Sequence, residues 1–249
     1  MDRPLPMNLV RVFEDLEAMA RAAAEEWVSR AERAVALRGR FTVALSGGST
    51  PRSLFRALVG PPFAARAPWE KTLVAFGDER HVPPEHPDSN YRMAREELLS
   101  KVPIPEENVL RIEGEREAAE AATRYTRRLQ GLLGSAPVFD LLLMGIGTEG
   151  HTASLFPHSS ALKDSHWVAS PWVEQLQAYR ITFTPTVINA ARTVLFLVAG
   201  AEKAPVLAEV LEGPRDPDRL PAQVVQPAAG EVLWWVDRPA ASLLRRTGG

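Results

Sequence analysis

The segment 144–157 reads MGIGTEGHTASLFP and brings Glu149 and His151 together among three glycines. An imidazole titrates near neutral pH and is the commonest general base. A carboxylate two residues before it can set its tautomer or work beside it. Gly145, Gly147 and Gly150 also fit the G-x-G-x-x-G spacing of dinucleotide-binding loops. That fingerprint belongs on the first strand of its unit, with an acid about 20 residues on at the end of the next strand. Here the loop lies far along the chain, and the nearest acid, Asp164, stands just before a strand-like run. We read the glycines as a bend that presents His151 and Glu149. The alternative is a structural histidine at a helix start.

Three more stretches carry reactive or charged groups. In LSGGSTP, Gly47 and Gly48 let backbone N–H groups approach a ligand, and Ser46, Ser49 and Thr50 add hydroxyls. Thr50 suits an N-cap and Pro51 a first helical residue. A helix N-terminus behind such a loop can hold a phosphate, though the same residues also make a well-capped turn. The lysine and spacing of a Walker A loop are missing. In FGDERHVPP, Asp78, Glu79, Arg80 and His81 follow an apolar run, as a site or as a solvated loop mouth. Arg80 could fork onto a phosphate or carboxylate. His81 and His86 read as loop residues. In VAGAEKAPVL, Lys203 falls in the first turn of a helix, where it opposes the dipole unless an anion sits in front of it. Arg180, at the start of YRITFTP, is a second anion contact or an edge charge. No His or carboxylate set has metal-ligand spacing.

Elements that could position these loops follow from the apolar pattern. FTVAL (41–45), TLVAF (72–76), VFDLLLMG (138–145), TVLFLVAG (193–200) and EVLWWVD (231–237) read as strands. NVLRIEG (108–114), HWVAS and YRITFTP are further short strands. Helices are expected over 12–37, ending at Gly39, and over 52–59, 91–100, 115–133 and 202–211, with PAASLLRR as a closing helix. This alternation predicts a Rossmann-like α/β fold, its sheet mainly parallel with helices on both faces, as one domain over residues 1–249. Ligands of such sheets bind at the carboxyl ends of the strands, where the reactive loops begin.

Composition narrows the function classes. The 249 residues are 45% hydrophobic and 24% charged, as in soluble globular chains. A net charge of −2 argues against a general nucleic-acid or basic membrane-surface binder. The absence of cysteine removes disulfides, thiolate metal sites and a Cys nucleophile. The N-terminal stretch 1–22 has no sustained apolar run, so no signal peptide is expected. Apolar runs of about seven to nine residues are too short to span a bilayer. A cytoplasmic protein is the expectation.

With these loops in hand, the sequence resembles the 6-phosphogluconolactonase family. The resemblance is carried by LSGGSTP, GDERHVPPEHPDSNY, GIGTEGHTASLFP, YRITFTPTVINAA, VAGAEKA and LPAQVV, in the family's order, over about residues 41–226. It implies a Rossmann-like fold shared with glucosamine-6-phosphate deaminases. It also implies hydrolysis of 6-phospho-D-glucono-1,5-lactone to 6-phosphogluconate, the second step of the pentose phosphate pathway, without cofactor or metal. His151 matches the family's general base. Ser46, Gly47, Gly48, Ser49, Thr50, Arg80, Arg180 and Lys203 match positions around the sugar phosphate. Asp78 matches an acid that is catalytic in the deaminase branch. Glu149 stands where the family usually has Asp, which keeps the charge but moves it, and Val224 where it often has a basic residue. The deaminases carry a glutamate where this chain has Phe156, and its loss favours the lactonase. The rivals are deaminase or isomerase chemistry and a non-catalytic sugar-phosphate-sensing domain. The sugar phosphate is the expected partner, with no nucleic acid or membrane, for a monomer or weak dimer.

Overall fold

Unbroken apolar runs make strands that are buried on both faces, because successive side chains point to opposite sides of a sheet. The computed structural model, which describes residues 10–245, bears this out. Its strands are β1 (Val10–Phe13), β2 (Phe41–Leu45), β3 (Thr72–Phe76), β4 (Asp78–Arg80), β5 (Leu141–Met144), β6 (Val168–Ala169), β7 (Trp172–Val173), β8 (Ala178–Phe183), β9 (Thr193–Val198) and β10 (Glu231–Asp237). Its helices are α1 (Leu16–Arg38), α2 (Ser49–Leu58), α3 (Phe63–Arg66), α4 (Asn90–Ala94), α5 (Ala118–Leu133), α6 (Pro185–Ile188), α7 (Ala204–Glu212) and α8 (Arg238–Ala241). Every residue of β2, β3, β5 and β9 is buried.

Six strands form one parallel sheet in the order β1-β10-β9-β5-β2-β3. The register aligns Leu45 with Phe76 and Met144 with Phe196, so the chain leaves β2, β3, β5 and β9 along one edge. One hydrophobic core runs from Val10 to Ala241. Within it Trp27 of α1 meets Phe41 edge-on, with ring centroids 5.7 Å apart. Among the described residues, no helix is long and apolar enough to cross a membrane.

Several expectations are corrected. Asp78–Arg80, read as loop, is a strand pairing with β8 in a second, antiparallel sheet ordered β4-β8-β6, with β7 also on β8. Three polar residues carry no hydrophobic pattern, so only the partner strand defines them. Val10–Phe13 is an edge strand on β10, and helix α1 starts later, behind Asp15, whose side chain accepts from Ala18 N at 2.8 Å. Gly39 ends that helix as read. Thr50 is not an N-cap: α2 begins at Ser49 behind Gly48 with no side-chain cap, and Pro51 lies within its first turn. Instead of a strand, 108–114 makes one bridge, Val109 to Val74. The closing helix spans only Arg238–Ala241, and part of PAASLLRR lies outside the described residues. The stretch read for a signal peptide also begins outside them.

Candidate active site

Beyond Phe76 the chain passes Gly77 and enters β4. Side-chain alternation puts Asp78 and Arg80 on one face and Glu79 on the other. Opposite them on β8, Thr182 pairs with Asp78 and Arg180 with Arg80, so all four share that face. Glu79 points inward. Its carboxylate accepts from the backbone N–H of Arg80, Asn90 and Tyr91, each at 2.8 Å, and from Ser89 Oγ at 3.0 Å. Burial pushes the Glu79 pKa up, and the backbone hydrogen bonds pull it back. Glu79 is therefore a clamp that closes the loop 81–89 and caps α4.

Arg80 and Arg180 stand side by side, and neither has a carboxylate partner among the described residues. Burial, then the charge of Arg80, lowers the pKa of Arg180. Among the described residues their guanidiniums donate only to backbone carbonyls, Arg80 to Asp88 and Arg180 to Tyr179. Adjacent like charges that are partly desolvated call for an anion between them.

The loop after β5 is a tight turn. Gly147 N–H donates to His151 O at 2.8 Å, Gly150 N–H to Gly147 O at 3.0 Å, and Thr152 Oγ1 to Gly145 O at 2.8 Å. The His151 ring stacks on Phe156 with centroids 4.4 Å apart. Its Nδ1 lies 3.0 Å from Glu149 Oε1. Phe156 and Glu149 thus fix the ring from its face and its edge, leaving Nε2 for a ligand. The side chain is 28% exposed, enough to meet water.

A Cβ on Gly147 would fall on Nδ1 and Cε1 of that ring. Gly147→Ala must therefore swing the imidazole aside. We expect kcat to fall about 10²-fold, the effect of an ångström-scale misplacement. Steady-state kinetics with a circular dichroism check on folding measure this, and an unchanged kcat contradicts it.

The His151 imidazole holds the Glu149 pKa down to about 2. The folded value lies below the unfolded one. Any stabilisation is therefore present above about pH 4.3 and is lost as pH falls toward 2; solvent screens it, because Glu149 is half exposed. In His151→Ala the Glu149 midpoint should rise from about 2 toward about 4.3. Carboxyl 13C NMR follows it, and a midpoint that stays put contradicts the contact.

The loop after β2 approaches the same place. A Cβ on Gly47 would fall on the Asn90 carboxamide. Asn90 in turn donates from Nδ2 to Asp78 O at 3.0 Å and to Asp78 Oδ1 at 3.3 Å. Ser46 Oγ is buried and has no partner among the described residues. Gly48 and Ser49 open α2 with uncapped N–H groups. On the other side of β5, a further loop follows β9. There Asp237 accepts from Gly200 N–H at 3.1 Å, and Lys203 is the N-cap residue of α7, without an ion pair among the described residues.

The geometry joins Asp78, Arg80, Arg180, the His151 turn and the glycine loop. His81 is set apart, its Nε2 on Arg116 O at 2.7 Å, and His86 contacts Asp88. Sequence reasoning missed Asn90, Ser154 and Thr182. They lie in DSNY, HTASL and RITF, and only their contacts mark them. Among the described residues, no group of three His, Cys, Asp or Glu side chains is placed to hold a metal.

Known proteins resemble the chain over most of its length. The family model described as glucosamine-6-phosphate isomerases/6-phosphogluconolactonase matches residues 14–234. A 6-phosphogluconolactonase of Nostoc sp. is 40% identical over 240 residues, covering 94% of this chain and 98% of that protein. The human 6-phosphogluconolactonase is 40% identical over 255 aligned positions, covering 98% and 96%. The solved 6-phosphogluconolactonase from Trypanosoma cruzi superposes with a TM-score of 0.84 at 28% identity, covering 98% of each chain. A monomeric glucosamine-6-phosphate deaminase shares the fold, with a TM-score of 0.81 at 20% identity over 94% of this chain and 99% of that one.

Proposed function

The chain belongs to the glucosamine-6-phosphate isomerase/6-phosphogluconolactonase family, and we propose that its reaction is hydrolysis of 6-phospho-D-glucono-1,5-lactone to 6-phospho-D-gluconate. The observation that carries this is the 40% identity to curated lactonases along nearly the whole chain. Phe156, packed on His151 where the deaminase pattern has a glutamate, supports hydrolysis over deamination.

In the proposed mechanism His151 Nε2 takes a proton from water. The hydroxide adds to the lactone carbonyl, giving a tetrahedral oxyanion. Backbone N–H groups of the strand-end loops stabilise that charge. The intermediate then expels the ring oxygen, which receives the proton from the imidazolium. The resulting acid ionises and releases one proton. Glu149 keeps its negative charge beside Nδ1 and orients the ring. The glycine loop, Arg80, Arg180 and Lys203 hold the phosphate, and this remote binding orients the carbonyl.

Two substrates given separately to the protein test the reading. With lactone generated in place, acid release should exceed the spontaneous rate. With glucosamine-6-phosphate, no ammonia should appear. Ammonia without accelerated acid release would assign the deaminase reaction instead.

A further inference from the structure

Asp78 is where three parts of the site meet. It is buried, at 7% exposure. Its Oδ2 accepts from Ser154 Oγ at 2.6 Å, and its Oδ1 from Asn90 Nδ2 at 3.3 Å. Ser154 lies three residues past His151, at 2% exposure, and its N–H donates to Thr182 Oγ1 at 3.1 Å. Between the two, Ala153 holds φ at +48°, a left-handed conformation that an alanine keeps only when its surroundings impose it. On the other side Asn90, at 2% exposure, fills the space a Gly47 side chain would need. The carboxylate thus ties the His151 turn to the glycine loop across β4.

A proton-transfer group must turn an oxygen toward the proton it moves. Both Asp78 oxygens face protein donors. Resting on the lactonase reading above, we propose that Asp78 is a positioning residue, which sets His151 against the phosphate-binding face through Ser154 and Asn90 and transfers no proton itself.

Asparagine separates the two roles. In Asp78→Asn the amide oxygen still accepts from Asn90, and its NH2 can donate to Ser154 Oγ. A positioning role is thereby kept, while a proton-transfer role is lost. We expect Asp78→Asn to hold kcat within about tenfold, against about 10²-fold lost in Asp78→Ala, with KM changed little in both. Ser154→Ala should lower kcat about tenfold, and adding it to Asp78→Ala should cost nothing further, because one tie is already broken. Melting temperatures establish that each variant is folded; if Asp78→Ala does not fold, Ser154→Ala carries that arm alone.

A folded Asp78→Asn that loses about 10³-fold or more in kcat, the range of a missing acid or base, overturns the proposal. So does a Ser154→Ala variant with wild-type kcat. The wild type in the same assay reports on the lactonase reading by itself. If it fails to accelerate hydrolysis, both readings fall; if it succeeds and Asp78→Asn does not, only the Asp78 proposal falls.

Discussion

Replacing His151 with alanine should lower kcat for lactone hydrolysis by about 10²–10⁴, the range for losing a general base, and leave 6-phosphogluconate binding nearly intact. The ring is the one titratable group in the cluster held in place by a stacked aromatic, a neighbouring carboxylate and a glycine turn that a side chain would break. Its removal leaves the arginine pair untouched. Uncoupling of kcat from product affinity is therefore the signature. Kinetics give the first quantity and calorimetry with 6-phosphogluconate the second. A variant with undiminished kcat contradicts the role. A parallel loss of binding contradicts the separation of base from phosphate site.

The second large effect is expected at the anion face. Arg180→Ala should raise KM for the lactone about 10- to 150-fold with kcat changed little. A hydrogen bond to a charged group contributes about 1.5–3 kcal/mol, and among the described residues no carboxylate forms an ion pair with this guanidinium, which donates to Tyr179 O. Burial and the charge of Arg80 already disfavour the cation at Arg180, so a bound dianion relieves a standing repulsion. Arg180→Lys should recover only part of the loss, because an ammonium cannot fork onto two oxygens. Inhibition by inorganic phosphate should weaken in step. An unchanged KM and phosphate inhibition constant would show that the phosphate lies elsewhere.

The sheet was legible because its central strands are apolar without a break, and FTVAL, TLVAF and TVLFLV keep their expected places. Loop position followed from the parallel order, so the residues able to do chemistry were visible at the strand ends. What escaped detection depends on partners distant in sequence. Asp78–Arg80 is a strand only because β8 lies opposite, about a hundred residues on. The same distance hides the division of labour within DER. Three charged neighbours in a row give no sign that Glu79 caps α4 from inside while Asp78 and Arg80 face the site. Asn90 and Ser154 look like ordinary loop residues until their donors are seen on one carboxylate. The expected Thr50 cap failed for a local reason: α2 starts two residues earlier, at Ser49 behind Gly48, leaving its first N–H groups open.

The most direct test is the fate of the lactone itself. 31P NMR follows freshly made 6-phospho-D-glucono-1,5-lactone in two samples, one with a catalytic amount of the protein and one without. The lactone signal should give way to 6-phosphogluconate many times faster with the protein, and the His151→Ala protein should return the decay close to the spontaneous rate. A lactone signal that decays at the same rate with and without the wild-type protein would contradict it.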